Sequence, residues 1–157
     1  RRAGVRSGHR VLVYGASGSV GSYAVQIARH WGAAVTGVCS GANLELVRSL
    51  GAGSVIDYTR EDFTRRGEKY DVVFDAVGKL SRSRAKVALA PSGSFASVKS
   101  MTSETDADLA TLAELAAKGD LRAVIDRHFP LDGIVEAHRY VESGRKKGNV
   151  IIDLPTA

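Results

Sequence analysis

Apolar positions along this chain alternate between two rhythms. Short continuous runs rich in β-branched residues predict buried strands over 10–14, 34–39, 54–57, 70–75, 94–98, 122–125 and 150–154. Between them the spacing is helical. Residues 20–30 place Val20, Ala24, Ile27 and Ala28 on one face, and Gly32 stops that helix. Residues 43–50 read as a helix capped by Asn43 and stopped by Gly51. Residues 81–89 end before Pro91, and 106–118 space Leu109, Leu112, Ala113 and Ala116 along one side. A last helix over 131–143 carries Leu131, Ile134, Val135, His138 and Val141 on one face. Strands alternating with helices imply parallel strands joined by crossovers, and strands this apolar imply a sheet covered on both faces. The fold class is α/β, a doubly wound parallel sheet in three α/β/α layers, as one domain over residues 1–157.

One turn in this pattern carries chemistry. Tyr14-Gly15-Ala16-Ser17-Gly18-Ser19-Val20-Gly21 leaves the first strand and opens the first helix. That context is the one a dinucleotide fingerprint requires. Against G-x-G-x-x-G, the string from Ala16 to Gly21 fits with Ala16 in the first place. Gly15 and Ala16 permit the tight turn, Gly18 lets a pyrophosphate approach the backbone, and Gly21 lets helix and strand pack closely. The free N–H groups and the dipole of the helix start then hold the phosphates.

The end of the second strand decides which dinucleotide. An NAD site usually places Asp or Glu there for the ribose 2′-hydroxyl. Here the residues are Val38-Cys39-Ser40-Gly41-Ala42-Asn43, without a carboxylate. Ser40 and Asn43 are candidate donors to a 2′-phosphate, so NADP(H) is favoured over NAD(H).

Composition narrows the field. Apolar residues make up 44% and charged residues 25%, ordinary for a soluble globular protein. The single Cys39 excludes an internal disulfide and a multi-cysteine metal cluster. No apolar run approaches the ~20 residues of a membrane helix, and no signal peptide is evident, so a cytoplasmic setting is expected. The net charge is +5, but the basic residues are scattered. The runs Arg65-Arg66, Arg82/Arg84/Lys86 and Arg145-Lys146-Lys147 read as solvated faces, not as a nucleic-acid stripe. There is no P-loop, no Tyr-x-x-x-Lys pair and no metal-ligand cluster. His138 reads as a packed or half-buried residue. A rival reading takes Gly37-Val38-Cys39-Ser40-Gly41 as a nucleophile elbow, with Asp75 and His128 or His138 completing a triad. A Rossmann methyltransferase would want an acidic residue closing strand two.

Taken together, the strings Gly8-His9-Arg10-Val11-Leu12-Val13-Tyr14-Gly15, Leu50-Gly51-Ala52, Val55-Ile56-Asp57-Tyr58, Tyr70-Asp71-Val72-Val73-Phe74-Asp75-Ala76-Val77-Gly78 and Glu136-Ala137-His138 through Gly148-Asn149-Val150 resemble the medium-chain dehydrogenase/reductase superfamily, in its zinc-independent quinone oxidoreductase-like branch. The resemblance runs over nearly the whole chain. It implies an NAD(P)-binding Rossmann domain in an enzyme that passes hydride to a quinone, an activated double bond or a carbonyl. It also implies that Ser40 and Tyr58 lie against the 2′-phosphate, and that Asp75, Ala76, Val77, Gly78, Ser97 and Val98 border the ribose and nicotinamide. The family often has Lys where Asn43 stands, so one charge is missing from the pocket. Relatives begin with a GroES-like catalytic domain, and nothing in these residues corresponds to it. No catalytic or metal-binding residue is therefore assigned here, and the domain alone is expected to be inactive. The segment Lys99–Asp108 is short where many relatives insert a strand that pairs across a dimer. The final strand, which returns to the catalytic domain in the family, is expected to lie exposed or to pair with a neighbour. Expected partners are a small-molecule substrate, reached through the missing catalytic domain, and a second copy in a homodimer, with no nucleic acid and no membrane. The alternative is a non-catalytic, dinucleotide-sensing Rossmann module.

Overall fold

The computed structural model describes residues 3–100 and 105–155. Residues 101–104 of the short Lys99–Asp108 segment lie outside the described residues. Strands β1 (Arg10–Tyr14), β2 (Ala34–Cys39), β3 (Ser54–Asp57), β4 (Tyr70–Asp75) and β5 (Leu89–Ser97) form one parallel sheet in the order β3-β2-β1-β4-β5. Helices α1 (Ser19–His30), α2 (Leu44–Ser49) and α3 (Arg82–Ala88) are the crossovers. The central strands β1, β2 and β4 are buried on both faces, as their apolar runs require. One face packs Val11, Val13, Val35 and Val72 against Val25 and Ala28 of α1, Val47 of α2 and Leu50 just after it. The other packs Leu12, Val38, Ile56 and Val73 against Phe63, Tyr70, Ala85 and Ala88. The α/β doubly wound arrangement is as the pattern predicts.

The departures are local. The buried side of α1 is Gly21, Ser22, Val25, Gln26 and Ala28, while Val20 is 47% exposed. Small side chains at Gly21 and Ala28 let the helix lie close to β1, and this sets the face more strongly than the bulk of Val20 and Ile27 does. Asn43 precedes α2 without capping it. The predicted strand 122–125 is instead β6 (Ile125–Pro130), because Gln26 occupies the backbone of Arg122, accepting from its N–H at 2.9 Å and donating to its carbonyl at 3.0 Å. β6 pairs in parallel with β7 (Asn149–Asp153) in a separate two-stranded sheet. The last strand thus pairs within the chain. Helix α4 (Asp106–Ala117) starts on a capping box of Thr105 and Asp108, yet it buries only Leu115 and leaves Leu109 61% exposed. Helix α5 (Ile134–Glu142) buries only Ala137, so His138 is exposed and not packed, because its face meets solvent.

Candidate dinucleotide site

The order of the sheet reverses at β1, with β2 on one side and β4 on the other. A crevice opens at such a switch point, beyond the carboxyl ends of the strands. A cleft of about 780 Å³ lies there, reached by Tyr14 at the end of β1, Cys39 at the end of β2, Tyr58 after β3, and Ala76 and Val77 after β4.

Its floor is the glycine turn. The N–H groups of Gly15 and Ala16 both donate to the Val38 carbonyl at 2.9 Å, and the Gly18 N–H donates to the Gly15 carbonyl at 3.1 Å. The first turn of α1 therefore points into the cleft with N–H groups that no intrahelical carbonyl accepts. Gly18, the N-cap, supplies no side chain to them, and no acidic residue stands in that turn. A Cβ on Gly21 would run into the Gly15 carbonyl and would come within 2.8 Å of the Ala16 Cα, so only glycine lets the helix start this close to the strand. A Cβ on Gly18 would meet nothing nearer than the Gly15 oxygen at 3.5 Å; the space beside it faces the cleft.

Gly15, Ser17, Gly18, Ser19 and Val20 line the cleft, together with Ser40, Asn43, Tyr58, Ala76 and Val77. Ala16 and Gly21 are buried beneath it. Asn43 links the first two turns, its amide donating to the hydroxyls of both Ser17 and Ser40 at 3.2 Å. Asp57, at the end of β3, turns its carboxylate to the N–H and hydroxyl of Thr59 and to the Gly41 N–H. Those hydrogen bonds hold its pKa below the usual aspartate value.

Asp75 is placed differently from a ligand contact. Its side chain is fully buried. One carboxyl oxygen accepts from the N–H groups of Val77 at 3.1 Å and Gly78 at 2.9 Å. The other accepts from the Leu80 N–H and the Ser97 hydroxyl, both at 3.1 Å. Asp75 thus folds the loop after β4 around itself, and Gly78 is buried with it. The loop then lays Val77 into the space that the missing side chain of Gly15 leaves open. Ser97 is part of this clamp, and Val98, 41% exposed, lies outside the cleft lining.

Sequence reasoning missed Lys79, Arg145 and Lys146, which also line the cleft. The run Arg145-Lys146-Lys147 reads as a solvated face until the start of β7 is seen to dock on the glycine turn. There the Gly148 N–H donates to the Ser17 carbonyl at 2.8 Å and Gly18 bridges Gly148. Nothing in the local sequence announces that contact.

The Cys39 thiol is buried, and desolvation, helped by the charge of Asp57, pushes its pKa from 9.0 up to about 11. No hydrogen bond joins Cys39 to a histidine among the described residues, and His128 pairs instead with Asp153 at 3.0 Å. A protonated, unassisted thiol does not suit a nucleophile. Among the described residues no group of three His, Cys, Asp or Glu side chains comes together in a way that could hold a metal ion.

The chain is similar to known proteins in sequence and in fold. The chain is 37% identical over 166 residues to the 2-methylene-furan-3-one reductase of Solanum lycopersicum, covering 96% of this chain and 42% of that protein. It is 37% identical over 161 residues to the chloroplastic NADPH-dependent alkenal/one oxidoreductase of Arabidopsis thaliana, covering 93% and 41%. The solved quinone oxidoreductase of Coxiella burnetii superposes with a TM-score of 0.89 at 26% identity, over 98% of this chain and 55% of that one. The chain therefore spans less than half the length of these two reductases. A sequence profile described as zinc-binding dehydrogenase matches residues 19–125. With the switch-point cleft and its glycine floor, that match places the chain in the zinc-binding dehydrogenase family of the medium-chain dehydrogenase/reductase superfamily, as its cofactor-binding domain.

Proposed function

We propose that this chain is the NADP(H)-binding half of an oxidoreductase that passes hydride between the nicotinamide and an activated double bond, a quinone or a carbonyl, without a zinc ion. The observation that carries the reading is the cleft at the β1 switch point, floored by unpaired helix N–H groups and free of acidic side chains. The bound dinucleotide supplies the hydride chemistry. The residues of this chain bind and orient it. The glycine turn receives the phosphates, and the Asp75-clamped loop, with Val77 seated on Gly15, walls the cleft on the β4 side. The relatives that reduce alkenals and furanones support this substrate class. A second domain is expected to supply the substrate side of the cleft.

The NADP(H) preference rests on Ser40, Asn43 and Tyr58, which share one end of the cleft and bring no carboxylate into it. Asp57 is close by, but its oxygens are already engaged by Gly41 and Thr59. Calorimetric titration of the chain with NADPH and NADH tests both statements. Tighter NADPH binding is expected. Equal binding removes the 2′-phosphate pocket, and no binding of either nucleotide overturns the reading.

A further inference from the structure

Asp57 stands at the edge of the cleft end that Ser40, Asn43 and Tyr58 form. It precedes Tyr58 and pairs in register with Cys39, the residue before Ser40. The Tyr58 N–H donates to the Cys39 carbonyl at 3.1 Å, which ties the ends of β2 and β3 together. Cys39, Ser40 and Tyr58 all line the cleft, while Asp57 does not. Its charge still reaches that lining: next to burial, it is the largest influence raising the Cys39 pKa. A carboxylate so placed is expected to repel a 2′-phosphate and to suit a 2′-hydroxyl.

Two residues turn it aside. One carboxyl oxygen accepts from the Thr59 N–H at 2.9 Å and from the Thr59 hydroxyl at 2.7 Å. The carboxylate also accepts from the N–H of Gly41, in the single turn that follows Ser40. Gly41 is exposed, and its φ is not left-handed, so neither backbone torsion nor core packing calls for glycine there. What calls for it is Asp57. A Cβ on Gly41 would come within 2.6 Å of Asp57 Oδ2, and the three nearest atoms it would meet all belong to that carboxyl group. The missing side chain of Gly41 is the space in which the carboxylate docks.

We propose that Gly41 and Thr59 are positioning residues that set the choice of dinucleotide, by holding the Asp57 carboxylate against the backbone of the turn after β2 and away from the 2′-phosphate. The proposal rests on the dinucleotide reading above and deepens it. Three donors offset the charge and occupy the oxygens while the carboxylate is docked. Released, it faces the ribose as a repelling charge and a hydrogen-bond acceptor. Selectivity is then set by two residues that act through a third.

The test titrates the chain with NADPH and NADH, alongside Gly41→Ala, Thr59→Val and the double variant Gly41→Ala/Asp57→Asn, with a thermal melt to show that each is folded. Gly41→Ala pushes the carboxylate off the turn, and Thr59→Val removes one donor at nearly constant volume. Both are expected to weaken NADPH by roughly three- to tenfold, as a nearby like charge does in a solvated cleft, and to leave NADH unchanged or tighter. The double variant keeps the added methyl group but loses the charge, and is expected to recover the parent's NADPH affinity. Either single variant, folded and with the parent's relative affinity for the two nucleotides, overturns the inference. So does a double variant that stays as weak for NADPH as Gly41→Ala, since the methyl group would then act on the turn itself. Equal binding of both nucleotides by the parent overturns the inference and leaves the dinucleotide reading intact. Binding of neither overturns both.

Discussion

Replacing Asp75 by alanine leaves two sets of donors without their acceptor. One carboxyl oxygen serves Val77 and Gly78, and the other serves Leu80 and Ser97. The Ser97 hydroxyl and the Val77 N–H lie near the surface and can turn to water. The Gly78 and Leu80 N–H groups lie in buried residues and cannot. At ~1–3 kcal/mol for each buried donor left unsatisfied, Asp75→Ala costs roughly 2–6 kcal/mol. Asp75→Asn keeps the volume and one carbonyl oxygen, which can still serve Val77 and Gly78. Its amide nitrogen then faces the Leu80 N–H, so one donor is lost and the cost is roughly 1–3 kcal/mol. Urea unfolding followed by circular dichroism reads both variants, with wild type expected to be the most stable, the asparagine variant intermediate and the alanine variant the least stable. An alanine variant within about 0.5 kcal/mol of wild type, the range of neutral surface substitutions, would refute the assignment of Asp75 as the organiser of this loop. So would an asparagine variant no more stable than the alanine one.

Other expectations follow from the same geometry. Gly21→Ala forces a methyl group into the Gly15 carbonyl and should lower stability by about 1–3 kcal/mol or more in a melt. Gly18→Ala has room and an ordinary φ of −77°, so stability should hold while NADPH titration shows at least a roughly tenfold loss. Asn43→Lys brings a cation to the Ser40–Tyr58 end and should improve NADPH binding by roughly three- to tenfold, with NADH unchanged. Cys39 has a folded pKa of about 11, raised from 9.0, so burial favours its neutral form. Its contribution to stability is complete below pH 9.0 and is lost as pH rises through about 11; Cys39→Ala should lack that part of the alkaline loss in unfolding curves, and the native thiol should resist thiol reagents at pH 8.

The central sheet is legible in the sequence because buried parallel strands are written as continuous apolar runs, from Val11-Leu12-Val13 to Val72-Val73. The glycine turn is legible for a related reason: Gly21 has no substitute at its position. The later third reads less well. Its helices show the spacing of a buried face at Leu109, Leu112, Ile134 and Val135, yet those residues remain 38–61% exposed, so periodicity alone does not report what a face packs against. The displacement of β6 came from a single polar side chain, Gln26, far away in sequence and sitting in the middle of α1. Asp75 was visible as a residue of the site loop, but its inward turn depends on three backbone N–H groups whose directions only the fold defines.

The docking of Gly148 on Ser17 and Ser19 has a consequence in time. The two sides of this contact are separated by 129 residues of chain between Ser19 and Gly148. At ~5–20 residues per second of synthesis, roughly 6 to 26 seconds pass between the addition of one side and the other. For that interval the nascent glycine turn, already flanked by β1 and β2, stands without the strand that later braces it. A chaperone or a protease meeting the growing chain would encounter this gap, and arrest of translation just before residue 145 would release a molecule with its central sheet complete and its cleft still missing one wall.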